Sequence, residues 1–229
     1  MLSGSSERNK GEDAMLTLLG RRSSFNVQKV AWLLAELDLP HRHIELGGAF
    51  GGLDTPEFRL MNPHGKVPVL KDGDTVLWES HAILRYLASR SANSALWPDD
   101  IADRAHVDAW MDWSQTTLQV DFLTGVFWGY YRTPEARRDT RSVERSVARC
   151  ADHFRLLDTV IADKPWLFGE AMTLADITIG THLYRYFEID IDRPNVPNIV
   201  RWYERLKQRP AYRDAVMVPF DELFGRLEY

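Results

Sequence analysis

Two kinds of apolar spacing divide the chain. As far as residue 91, short strand-like runs alternate with helical ones. "MLTLLGR" reads as a short buried strand. "NVQKVAWLLAEL" puts Val27, Val30, Leu33, Leu34 and Leu37 on one helical face, and "HRHIEL" alternates as a second strand. The glycine-rich "GGAFGGLD" predicts a loop, and Asp54 or Thr55 followed by Pro56 predicts the start of a short helix. "GKVPVLKDGDTVLW" then reads as a hairpin, with strands Val67–Leu70 and Thr75–Trp78 about an Asp72-Gly73-Asp74 turn. A helix over "ESHAILRYLASR" closes the order β-α-β, α-β-β-α.

Beyond "SANSALWPDD", a run of linker character, the pattern becomes helical throughout. A stripe runs through "IADRAHVDAWMDWSQTTLQVDFL", and Val143, Val147, Cys150, Phe154, Leu157 and Ile161 recur at helical spacing. "TLADITIGTHLYRYFEI" and "VPNIVRWYERLKQRP" add two more helices, with a short one at "AYRDAV". "VFWGYY" reads as a loop or helix end, because a glycine interrupts it and "RTP" follows. The expected organisation is a polar extension over 1–14, an α/β domain over 15–91, a linker over 92–100 and an all-α domain over 101–229.

Composition narrows the function. The chain has 229 residues and a net charge of -5, which argues against nucleic acid as the main partner. No apolar run is long enough to span a bilayer. The opening "MLSGSSERNKGEDA" lacks the apolar core of a signal peptide and reads as a flexible extension or vector remnant. A single cysteine, Cys150, rules out an internal disulfide framework and suits a reducing cytoplasm; on its apolar helical stripe it reads as a core residue. The seven histidines show no metal-ligand spacing; His64 and His81 flank the hairpin and read as solvent-facing.

The hairpin carries the candidate chemistry. Pro68 removes a backbone donor inside a strand-like run, and Glu79-Ser80 arrive where a helix begins. A cis proline at an edge would let Val67 offer its N–H and C=O to an extended peptide. Unpaired amides at the helix start favour a carboxylate at Ser80, while Glu79 can receive an ammonium. One α-amino acid end satisfies both. The plain reading, in which Glu79 and Ser80 are caps and Pro68 marks an edge, stays open at this point.

"GKVPVL", "ESHAILRYLA" and "TLADITIGTHLYR" stand in the order and spacing of the glutathione transferase superfamily, which the chain resembles over about residues 15 to 217. "RAHVDAWMDWSQTTL" is similar to the theta-type branch and related bacterial transferases. The resemblance implies a thioredoxin-like first domain, an all-helical second domain, glutathione as co-substrate, a cis Val67–Pro68 bond and a homodimer. In its first loop, "GRRSSFNVQKV", it implies that Ser24 donates its hydroxyl to the glutathione thiolate, with Asn26 as the alternate. A cap for the following helix is the competing role for both. The resemblance also implies Lys66 for the glycine carboxylate, and Asp108 reaching the γ-glutamyl amine across the dimer. Trp113, Phe122, Trp128 and Tyr130 are the expected pocket for a small hydrophobic electrophile. That loop has no cysteine, which argues against disulfide exchange.

Thr173 and Asp176 form a capping box ahead of an apolar run, a structural role. Two other functions remain: a transferase fold used only as a binding or regulatory module, and a glutathione-dependent isomerase. Zeta-type isomerases carry a serine-serine-cysteine run where this chain has "SSFN".

Overall fold

Leu16, Leu18 and Leu19 are buried in strand β1 (Leu16–Leu19), the centre from which the first half is built. The computed structural model describes residues 15–91 and 95–227. The expected extension over 1–14, and 92–94 of the expected linker, lie outside them. Helix α1 (Phe25–Glu36) returns the chain to β2 (His41–Ile44), parallel to β1 in the register Leu16 to His41. Helix α2 (Pro56–Met61) starts at Thr55, whose hydroxyl accepts from the Phe58 N–H at 3.2 Å. Strands β3 (Val69–Asp72) and β4 (Thr75–Trp78) follow, then helix α3 (Ser80–Arg90). The sheet order is β2-β1-β3-β4, with β3 antiparallel to both neighbours.

Two details of the hairpin differ from the sequence pattern. Its first strand begins at Val69, not Val67, and Val67 and Pro68 stand just before it, joined by a cis peptide bond. Glu79 caps α3 from outside the helix, at φ +69°.

The second half is helical. Helix α4 (Ile101–Trp113) does not stop where "VFWGYY" suggested. Its coil continues with π-type winding through Ser114–Leu118 and Val120–Arg132. Helices α5 (Thr140–Ile161), α6 (Leu174–Glu188), α7 (Pro197–Lys207) and α8 (Pro210–Val216) complete it, and a short 3-10 turn at Asp221–Leu223 follows. The expected linker is partly built into the core. Leu96 is buried, and its carbonyl accepts from the Leu174 N–H at 2.8 Å.

The halves share one core through α1. Val27, Val30, Leu33 and Leu34 are buried, as the stripe required, but so are Phe25, Gln28, Lys29 and Trp32 on the remaining faces. Trp32 lies edge-on to Tyr212 of α8 at 4.8 Å and fits against Gly180 of α6, where an added Cβ would stand 3.1 Å from the indole. Glu36 accepts from the Trp32 indole N–H at 2.8 Å and takes Arg209 in a two-point ion pair.

Helix α6, buried on nearly every side, is held at its start by Asp176. Its carboxylate is fully buried and accepts from the Thr173 N–H at 2.8 Å, the Thr173 hydroxyl at 2.9 Å and the Leu167 N–H at 2.9 Å. Burial pushes its pKa up to about 6, against those three donors. Asp176→Ala strands two backbone donors away from water. We expect a loss of about 2–4 kcal/mol in the denaturant unfolding free energy, with the transition staying cooperative.

Candidate active site

The loop after β1 is shaped by close approach. Gly20 sits at φ +143°, where an added Cβ would stand 2.5 Å from Val27 Cγ2 and 2.9 Å from Val67 Cβ. Only glycine lets the chain pass between α1 and the residue before Pro68. Backbone bonds from Gly20 to the Ile44 carbonyl and from Arg21 to the Leu46 carbonyl, both 2.9 Å, tie the loop to the end of β2. The Ser24 N–H donates to the Arg21 carbonyl at 3.0 Å and completes the turn into α1.

Ser24 is the residue before α1 and is 8% exposed, yet its hydroxyl makes no capping hydrogen bond. The cap role is therefore unfilled, and Ser24 stands at the N-terminus of α1 with its hydroxyl not used for capping. Asn26 lies beside it, its Oδ1 buried with no hydrogen-bond partner among the described residues.

These groups line a cleft of about 370 Å³ between the two halves. Of the residues expected from sequence, Ser24, Asn26, Lys66, Val67 and Trp128 line it. Pro68, Glu79 and Ser80 stand one step behind. The last hairpin pair is Val69 with Trp78, so Pro68 and Glu79 are the residues next to it on the two strands. Ser80 is buried at the first position of α3. Glu79 is exposed and strained into the left-handed region, a state that costs roughly 1–3 kcal/mol for a non-glycine residue and collects at functional sites. Gln115 Nε2 donates to its carboxylate at 3.5 Å. Asp108 accepts through Oδ1 from Arg85 at 2.7 Å and from the Trp97 indole at 3.3 Å, with no bond to Oδ2 among the described residues.

Three of the four expected pocket aromatics are elsewhere. Phe122 is fully buried against His182 and Tyr186, so it belongs to the core. Trp113 packs edge-on against Trp110 and His153. Tyr130 lines a separate cavity of about 750 Å³ beside α5, which contains none of the loop residues. The cause is the continued helix: its winding turns Leu123, Phe127, Trp128 and Arg132 toward the first half and carries Tyr130 away. His81 also differs from its sequence reading. It is buried, 3.1 Å from the Lys29 ammonium nitrogen, whereas His64 is exposed.

Sequence reasoning missed Arg21, Arg132 and Arg185, all of which line the cleft together with Phe127 of "VFWGYY". The Trp128–Arg132 spacing of four was visible, but only if the segment was read as helix. Arg185 donates to the Ser23 carbonyl at 2.7 Å across 162 residues of sequence, and no local pattern signals that. The C-terminal turn was missed as well: Leu223 lines the cleft, and the Arg226 carbonyl accepts from Arg132 Nε at 2.8 Å. Among the described residues no group of three or more His, Cys, Asp or Glu could hold a metal ion, and no helix is long and apolar enough to cross a membrane. Cys150 lies in the core, where burial pushes its thiol up to about 12.

The family model for the glutathione S-transferase N-terminal domain matches residues 18–95, and that for the C-terminal domain matches residues 120–210. The chain is 41% identical over 207 residues to glutathione S-transferase GstB of Escherichia coli K12, covering 90% of this chain and 99% of that one. It is also similar to the solved theta class glutathione S-transferase of Xanthomonas axonopodis pv. citri with glutathione bound. The TM-score there is 0.84 at 44% identity, over 90% of this chain and 99% of that one. Elongation factor 1-gamma 2 of Oryza sativa subsp. japonica is 33% identical over 71% of this chain, but the match spans only 39% of that protein.

Lys29, on α1 behind the cleft, is fully buried and donates to Gln119 Oε1 at 2.7 Å. Burial lowers its pKa to about 7, opposed by the Glu79 carboxylate. The unfolded chain binds this proton up to about pH 10.5 and the folded chain only up to about 7. Between those values the unfolded state holds more protons, so stability should rise with pH. Below about 7 the buried ammonium opposes folding in full. Urea midpoints from pH 6.5 to 9.5 should climb in the parent. Lys29→Met should flatten that climb and lie above the parent at pH 6.5.

Proposed function

The chain belongs to the glutathione S-transferase family, and we propose that Ser24 activates the glutathione thiol in the cleft between its two halves. The protein is a glutathione transferase: the thiolate sulfur attacks an electrophilic carbon, and the sulfur–carbon bond forms as the leaving group departs. The thiol proton goes to water. What remains for the protein is to make the thiolate the stable form near neutrality and to hold it still.

The observation that carries this reading is the uncommitted Ser24 hydroxyl, largely buried at the N-terminus of α1 and lining the same cleft as Asn26, Lys66 and Val67. A hydroxyl donated to sulfur favours thiolate over thiol, and the positive end of the helix acts in the same sense. Glutathione lies extended, its backbone against Val67 beside Pro68 and its glycine carboxylate toward Lys66. Its γ-glutamyl end is received by Glu79 and by Ser80 with the first amides of α3. The position of Ser80, buried at the start of α3, supports that end of the assignment.

Trp128 takes the apolar part of the electrophile. We place the protein in the cytoplasm, where glutathione is held as the thiol. A homodimer through α3 and α4 completes the reading, with Asp108 Oδ2 offered to the γ-glutamyl amine of the partner subunit. Arg85 ties those two helices into one face through Asp108 and Asp112. Sedimentation at micromolar concentration should give twice the 26.4 kDa chain mass; a monomer would withdraw both the dimer and the Asp108 role.

The ultraviolet absorbance of bound thiolate, followed against pH, tests the catalytic assignment. The parent should show a glutathione pKa well below that of free glutathione. Ser24→Ala should raise it and lower kcat at pH 6.5, with part of the loss returning at higher pH. Removing one preorganised donor costs about 2.7–4 kcal/mol in strong cases, and less where a helix end shares the role. Asn26→Ala should leave the profile in place. A shift in the asparagine variant alone reverses the roles. A parent that binds no glutathione would leave the fold as a binding module.

A further inference from the structure

Behind the cleft, the Lys29 amine is fully buried on α1 and forms no ion pair among the described residues. Buried charges are ordinarily paired, because an isolated ion is costly to desolvate. The surroundings of this amine nevertheless suit an ammonium. Nζ donates to Gln119 Oε1 at 2.7 Å, lies 3.1 Å from His81 Nε2 and stands 5.0 Å from the centre of the Phe25 ring. An amide oxygen, an imidazole nitrogen and an aromatic face match the three N–H groups of the charged form. What the pocket lacks is a counter-ion.

Each of those three contacts leads to the glutathione site. Phe25 lines the cleft beside Ser24. His81 follows Ser80 as the second residue of α3. Gln119 lies one turn beyond Gln115, which donates to the Glu79 carboxylate. Lys29 thus joins the two helices whose starts are assigned to the ligand's anions, the thiolate at α1 and the γ-glutamyl carboxylate at α3. Two further titratable groups face this pocket: Glu79, whose carboxylate favours the ammonium from the α3 cap, and His182 of α6. Burial holds His81 and His182 well below the usual imidazole range, so both are neutral near pH 7. Arg85 bears on His81 and Arg185 on His182, each in the same sense.

We propose that bound glutathione is the missing counter-ion, so that Lys29 takes up a proton as the ligand binds and its ammonium then stabilises the thiolate. The inference rests on the transferase reading and adds to that site a charge that responds to the ligand. Lys29 is a positioning residue here, since it touches no part of the substrate. The thiol proton leaves for water, Lys29 takes one proton from water, and no covalent bond of the protein changes. The direction follows from the ligand's charges. Its γ-glutamyl ammonium meets Glu79 and weakens that support for Lys29, but the γ-glutamyl carboxylate and the thiolate together bring twice the opposite charge. In the free protein burial lowers Lys29 to about 7, so above that pH the amine is mainly uncharged before glutathione arrives.

Nitrogen NMR of isotope-labelled lysine side chains, followed against pH, tests this in the parent protein. One Nζ should titrate far below the others, at about 7, and its absence from Lys29→Met assigns it. Saturating glutathione should raise that midpoint by about one pH unit, the lower end of what a nearby opposite charge does. S-methylglutathione keeps the γ-glutamyl end but has no ionisable thiol, and should raise it less. Coupling between two sites is reciprocal, so Lys29→Met should move the ultraviolet thiolate midpoint of bound glutathione upward. A lysine with a structural role alone would move neither midpoint. An unchanged or lowered lysine midpoint with glutathione bound would overturn the inference and leave the transferase reading intact. So would an equal rise with S-methylglutathione, or a Lys29→Met variant whose bound thiol titrates as in the parent. Should that variant not fold, the lowest lysine midpoint of the parent, free and bound, decides by itself. If calorimetry detects no glutathione binding to the parent, the transferase reading fails first, and this inference with it.

Discussion

The burial of α1 over most of its surface is the constraint on which the rest of the molecule depends. One face packs on the sheet through Val27, Val30 and Leu33, as any helix of an α/β unit must. The other buries Phe25, Lys29 and Trp32, which no small sheet could cover alone. A helix buried over most of its surface has to lie inside a larger core. The helical half supplies that core, with α6 and α8 against Trp32 and Arg209 closing on Glu36.

That arrangement places the chemistry. The start of α1 carries Ser24 and Asn26 and lines the cleft at the seam between the halves. The first half contributes a loop pinned by Gly20 and the Val67–Pro68 pair. The second contributes Trp128, Arg132 and Arg185, and the Arg185 bond to the Ser23 carbonyl spans the seam. Four basic side chains drawn from both halves, Arg21, Lys66, Arg132 and Arg185, are among the residues that line the seam.

Buried ionisable groups show the same division. Asp176 was readable as a capping residue because its partner Thr173 is three positions away. Lys29 was not. Its neighbours Gln119 and His81 lie 90 and 52 positions distant, and on a lone helix it would have faced water.

The sequence alone determined what local rules govern. Apolar periodicity marked all four strands and the helices that follow them, and turn and cap residues located Thr55, Asp72-Gly73 and Thr173. The motif order identified the family, and with it the loop, the proline and the Glu79-Ser80 pair. Tertiary structure decided what depends on the rotation of one element against another. "VFWGYY" looked like an ending because glycine weakens a lone helix, but packing on α5 carries the coil through to Arg132. That continuation set which aromatics face the cleft: Phe127 and Trp128 do, Phe122 and Tyr130 do not. Side chains brought together across 90 or 162 positions leave no periodic trace in the chain, because their meeting is a property of the packed core and not of any segment within it.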